Sequence, residues 1–142
     1  MRVVADIMTS NPITLNEESD LWSAQQDMRN LGIHHAPVVD DGKVVGVLSS
    51  HDLLAVTSSQ LHHDRLHEQM DSRDKHQTFV ASVMTREVRT VTPKTSLAEA
   101  AKLLAANDYH CLPVVDDAGQ LCGMVTESDF MTLVVELLEA EG

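Results

Sequence analysis

Leu21, Ala24, Met28 and Leu31 recur at close to a 3.6-residue period, which predicts an amphipathic helix. Leu97, Ala100, Ala101 and Leu104 repeat the pattern further along the chain. Ser96, with Glu99 three residues later and Pro93 just upstream, has the form of a capping box opening this second helix. After each helix the pattern changes to short β-branched runs. Residues 37–40 and 44–48 flank Asp41-Gly42, and residues 113–116 and 121–125 flank a turn at 117–119, so both stretches predict β-hairpins. A short strand is expected ahead of each first helix, at residues 13–15 and 89–91. Further helices are expected from about Ser50 and Glu127, and the second continues as an apolar helix through residues 130–138. Apolar lead-ins, Val4-Ala5-Asp6-Ile7-Met8 and Val80-Ala81-Ser82-Val83-Met84, precede the two series.

The two series are one unit written twice. Residues 8–41 align with 84–117, and after an insertion at Ala118 residues 42–56 align with 119–133. Fourteen of the 49 aligned positions are identical, including Met8-Thr9 with Met84-Thr85, His34 with His110, Pro37-Val38-Val39-Asp40-Asp41 with its copy, Gly46 with Gly123, and Asp52 with Asp129. The expected fold is therefore α/β, two β-α-β-β-α repeats at 1–57 and 81–142 joined by a linker at 58–80. One such unit is near the lower size limit for folding alone. Pairing through the bare sheet faces about a pseudo-two-fold axis would bury both cores and leave two equivalent clefts.

Composition narrows the function. The 142 residues carry 10 Lys+Arg against 22 Asp+Glu, a formal net charge of −12. Phosphate-backbone readers need clustered cations, and base-stacking platforms need more than 3% aromatic residues, so no nucleic-acid partner is expected. No apolar run approaches the ~20 residues of a membrane span, and the N-terminus lacks a secretory core, so a cytoplasmic protein is expected. Cys111 and Cys122 share the second hairpin. Its expected register sets Cys122 opposite Val114, which argues for two free thiols. No nucleophile elbow, P-loop or dinucleotide fingerprint occurs, so the chain reads as a non-enzyme. Four of the eight histidines fall in the linker. On a helix His63 and His67 would share one face, with Asp64 and Glu68 nearby, which is a candidate divalent-metal site, although an ordinary solvated spacer is the reading preferred for these residues.

Ser49-Ser50-His51-Asp52 and Thr126-Glu127-Ser128-Asp129 carry the chemistry. Each closes an apolar strand and opens a helix. Capping alone would explain both hydroxyls and both carboxylates. The same geometry also offers free N–H groups to a phosphate and a carboxylate to a pair of ribose hydroxyls.

These motifs, with Asp6-Ile7-Met8-Thr9, Ser82-Val83-Met84-Thr85, His34-His35-Ala36-Pro37-Val38-Val39-Asp40 and His110-Cys111-Leu112-Pro113-Val114-Val115-Asp116, resemble a tandem pair of CBS domains, the cystathionine β-synthase repeat or Bateman module. The resemblance covers all but the linker and the C-terminal tail. It implies a regulatory module that binds adenosine-containing ligands between the repeats. By position, Asp52 and Asp129 would hold ribose, Ser49 and Thr126 would contact phosphate, and Thr14 and Thr90 would line the adenine edge. Ala36-Pro37 and Leu112-Pro113 would wall the base. The sequence departs from the family where a basic residue often precedes the ribose carboxylate: His51 and Ser128 stand there, and Glu127 adds a negative charge. AMP, ADP or an S-adenosyl ligand is therefore expected rather than ATP, with His51 marking the better phosphate site. The resemblance also implies a homodimer, for which the tail helix is a candidate interface, acting on another protein chain not identified by the sequence. The alternatives are a ligand-free interaction module, or a metal or pH sensor built on the linker histidines.

Overall fold

The computed structural model describes residues 2–56, 78–106 and 109–142. His63, His67 and most of the linker lie outside the described residues. The chain forms two compact units, Ile13–Glu87 and Met1–Pro12 with Val88–Gly142, called here the Asp52 unit and the Asp129 unit.

In the Asp52 unit, α1 (Leu21–Leu31) is followed by β2 (His35–Asp40), β3 (Lys43–Ser49) and a helix α2 at residues 50–56. Asp20 caps α1 by accepting from Trp22 N at 3.3 Å. Gly32, at φ 67°, ends it, because a left-handed residue turns the chain out of the helix without a Cβ clash. Residues Asp41 and Gly42, at φ 52° and 81°, make the tight turn between β2 and β3, which pair antiparallel with a bulge at Val38/Val39. The strand expected at 13–15 narrows to one parallel bridge, Leu15 with Val38. On the other edge Thr85 bridges antiparallel to Val47, through N–H···O bonds of 2.9 Å in both directions. Leu15, Leu21, Ala24, Met28, Ala36, Val38, Leu48 and Leu53 form the core with Val80 and Met84.

The Asp129 unit repeats this arrangement. Its elements are β1 (Thr9–Ser10), α3 (Leu97–Ala105), β4 (Cys111–Val115), β5 (Leu121–Thr126) and α4 (Glu127–Glu141). Ser96 caps α3 as the sequence predicts, its Oγ accepting from Glu99 N at 3.1 Å. Val91 bridges parallel to Val114, while β4 and β1 flank β5. The core is Val4, Val91, Leu97, Ala100, Leu104, Leu112, Val114 and Val125. The bulge at Val114/Val115 shifts the hairpin register, so Val114 pairs with Gly123 and not with Cys122. Nevertheless, neither cysteine is part of a disulfide, as expected.

The lead-ins are exchanged between the sequence repeats. Val80–Ser82 forms a 3-10 turn held in the Asp52 unit by Val80 N→Ser19 O (2.9 Å) and Ala81 N→Glu17 O (3.0 Å). Val4–Asp6 does the same in the Asp129 unit, through Val4 N→Thr95 O (2.8 Å) and Ala5 N→Pro93 O (3.0 Å). Each compact unit is thus the helix–hairpin–helix of one repeat completed by the lead-in of the other.

Candidate functional site

In the Asp52 unit, β3 ends at Ser49 and α2 begins at residue 50, so the Ser49–Asp52 segment is the corner between strand and helix. Ser49 N donates to Asp52 Oδ2 at 3.0 Å, and Asp52 N donates to Ser49 Oγ at 3.1 Å. This reciprocal box satisfies two N–H groups that a helix start leaves without intrahelical partners. It also fixes the Asp52 rotamer. The Thr85 hydroxyl reaches both carboxylate oxygens at 3.4 Å, longer than an ordinary O–H···O bond and correspondingly weak. A carboxylate offers about four lone-pair positions, so capacity remains for further donors.

The sheet register places the remaining candidates. Leu15 N donates to Pro37 O at 3.0 Å, Pro37 pairs with Val47, and Val47 pairs with Thr85. Thr14, Pro37, Val47 and Thr85 therefore lie in one row across four extended segments. Alternation puts this row on the face opposite Leu15, Val38 and Leu48, which face the core. Thr14 is exposed, Ser49 and Asp52 are half-buried, and His51 is exposed on the first turn of α2. Ala36 is fully buried in the core, backbone included, so it presents no surface to a ligand here, contrary to the expectation that it walls the base.

The Asp129 unit has the matching row of Thr90, Pro113, Met124 and Thr9, with Val91 N→Pro113 O at 3.0 Å and Met124 paired to both Pro113 and Thr9. Thr90 is exposed, and Leu112, like Ala36, is fully buried in the core. Thr126 N donates to Asp129 Oδ2 at 2.9 Å, which caps α4. Among the described residues no group of three or more His, Cys, Asp and Glu is arranged to hold a metal ion.

Two features were not assigned to the site from sequence: Thr85 on Asp52, and the close approach that puts it there. A Cβ on Gly46 would lie 2.7 Å from Met84 Sδ and 2.9 Å from Thr85 O; a Cβ on Gly123 would lie 2.6 Å from Met8 Sδ and 3.0 Å from Thr9 O. The repeated Met-Thr and the repeated glycine were the available signal.

One titration follows from β5. Burial, and secondly the Asp116 carboxylate, push the Cys122 thiol above its ordinary value. The reactive thiolate is therefore scarce at pH 7–8. Iodoacetamide labelling of Cys122, followed by mass spectrometry, should be slower than that of a free thiol at pH 8 and should recover as pH rises. Asp116→Asn should move the profile toward lower pH.

The fold and the duplicated strand–helix corner define an internally repeated α/β module with one Ser/Thr-x-x-Asp site in each compact unit. The CBS domain family profile matches residues 4–59 and 80–136, and the chain belongs to that family. It is 32% identical over 138 residues to a CBS domain-containing protein of Dictyostelium discoideum, covering 96% of this chain and 94% of the relative. Among solved structures it is similar to CBSX2, a CBS-pair protein of Arabidopsis thaliana, in complex with AMP (28% identity, TM-score 0.78, 96% and 98% of the two chains). It is also similar to the CBS domain pair of MJ0100 in complex with 5′-methylthioadenosine and S-adenosyl-L-methionine (25% identity, TM-score 0.77, 94% and 99%).

Proposed function

We propose that this protein is a non-catalytic regulatory sensor whose Ser/Thr-x-x-Asp corners bind an adenosine-containing ligand, with AMP or ADP preferred. Asp52 and Asp129 receive the ribose hydroxyls. Ser49, His51 and Thr126 lie toward the phosphate, and the rows of Thr14–Pro37 and Thr90–Pro113 frame the base. The observation that carries this reading is the Asp52 carboxylate. It is locked by the Ser49 box, faced beyond that box, among the described residues, by the weak Thr85 hydroxyl contact, and set at the start of a helix. The AMP complex of CBSX2 and the adenosyl complex of MJ0100 support the ligand class. The net charge of −12 disfavours accumulating phosphates, which is why AMP or ADP is placed ahead of ATP.

The module works in the cytoplasm as a homodimer and reports ligand occupancy to another protein chain through a change of conformation. No described helix is long and apolar enough to cross a membrane. The apolar residues of α4 support self-association: Met131 and Leu138 are 63% and 62% exposed, and Val134, Val135 and Leu137 are also exposed.

Calorimetric titration with AMP, ADP, ATP and S-adenosylmethionine tests the reading. Asp52→Ala should weaken AMP binding at this site by about 10–100-fold, the loss expected for hydrogen bonds to a charged acceptor. Removing the cap should also lower stability by about 1 kcal/mol. A second reading, that the corners are caps only, draws on the complete Ser49–Asp52 box. It predicts the stability loss with no ligand bound by the wild-type chain.

A further inference from the structure

Each lead-in is seated on its unit by a methionine. In the Asp129 unit Met8 lies over Gly123, where a Cβ would stand 2.6 Å from Met8 Sδ and 3.2 Å from its Cγ. In the Asp52 unit Met84 lies over Gly46, with the same two distances at 2.7 and 3.1 Å. The absent side chain lets the thioether reach the strand, and the sulfur then fills the notch. Met8 and Met84 are equivalent in the repeat, yet their surroundings differ. Met84 is 7% exposed and belongs to the core of its unit, whereas Met8 is half-buried and packs against its core from the margin. The Met84 lead-in also has a further tie. Arg86 Nη2 lies 3.6 Å from Glu17 Oε2 and donates to Ala81 O at 3.3 Å. Ser10 and Pro93 stand at the matching positions of the repeat and cannot form that ion pair.

We propose that Met8 is an oxidation site through which a peroxide-class oxidant loosens the Asp129 unit while the Asp52 unit stays closed. A sulfur lone pair attacks one oxygen of the peroxide. The S–O bond forms as the O–O bond breaks, and sulfur gives up two electrons. The departing hydroxide takes the proton from the transferred oxygen, so one sulfoxide and one water result. The sulfoxide is polar, carries one more heavy atom than the thioether, and its oxygen accepts hydrogen bonds. Thr9 O also closes this notch, 3.0 Å from the Cβ position, and as an acceptor it offers the new oxygen no bond. Burying an unpaired acceptor is costly, so the oxidised side chain turns to water and draws the lead-in off β5. The bonds at stake are the pairing of Thr9 with Met124 and Ser10 with Gly123, and Val4 N→Thr95 O and Ala5 N→Pro93 O. Met84 is shielded because thioether oxidation needs access to the sulfur. None of this depends on what either corner binds.

The test is hydrogen peroxide treatment of the full chain, followed by fragment mass spectrometry and amide hydrogen exchange. Among the described methionines, Met131, 63% exposed, should oxidise first and Met8 next, with Met28, Met84 and Met124 about tenfold slower than Met8. Once Met8 is oxidised, the Val4 and Ala5 amides should exchange about tenfold faster. The Val47 and Thr85 amides, whose mutual bonds hold the other lead-in, should stay within about twofold of the untreated protein. In Met8→Leu, which fills the notch without a sulfur, the same treatment still oxidises Met131 and should leave the Val4 and Ala5 rates unchanged. Met8→Gln, polar and of similar length, should speed the same amides with no oxidant present. Methionine sulfoxide reductases with dithiothreitol should restore slow exchange to the oxidised wild type. If Val4 and Ala5 exchange as before with Met8 fully oxidised, or if Met84 oxidises as fast as Met8, the proposal is overturned.

Discussion

Truncating Leu112 to alanine should cost about 2–5 kcal/mol of stability, the range for removing a fully buried leucine and leaving a cavity. Leu112 has no exposed surface and packs with Val4, Val91, Leu97, Ala100, Leu104, Val114 and Val125. It sits on β4 between the α3 face and the N-terminal lead-in, so the void has walls contributed by separate chain segments and closes poorly. For a chain of this length the loss corresponds to a fall of about 10 °C in unfolding midpoint, readable by circular dichroism. A shift under about 2 °C would contradict the burial. Leu112 was also expected to wall a bound base. If its side chain serves only the core, the folded fraction of the variant should bind ligand with unchanged affinity.

Placing valine at Gly46 should cost about 3 kcal/mol and also impair the Asp52 site. A first carbon at this position would already sit 2.9 Å from Thr85 O, which is backbone and accepts the Val47 N–H at 2.9 Å. Met84 is buried against the same point and has little room to yield. The lead-in must move off β3 to relieve the clash, and Thr85 then leaves Asp52. Denaturant unfolding and AMP titration should therefore change together. Gly32→Ala is the control. Gly32 is needed for its φ of 67° and has nothing within 4 Å, so a methyl there should cost about 1 kcal/mol from backbone strain and spare the site. Equal binding by both variants would show that the close approach at Gly46 does not hold the site.

Much of the candidate site was legible because its parts are local in sequence. A residue pair at i and i+3 at a strand–helix corner is fixed by chain geometry, so Ser49 with Asp52 and Thr126 with Asp129 could be read directly. The hairpin turns were legible because Asp41-Gly42 supplies two residues tolerant of positive φ. The register beyond the turn was less so. A bulge adds one residue to one strand, and nothing in the spacing of Val114, Val115 and Cys122 reveals it.

The sequence by itself determined the duplication, the helix and hairpin order within each copy, which faces of the helices are apolar, and the capped corners. These follow from periodicity and from contacts between residues a few positions apart. Only the tertiary structure decided which hairpin each lead-in joins. Val80–Thr85 completes the Asp52 unit and Val4–Ser10 completes the Asp129 unit, each crossing to the other repeat's hairpin. A short lead-in has no local signal for its partner, and Gly46 and Gly123 offer it the same edge. The choice rests on long-range pairing, and that pairing brings Thr85 to Asp52.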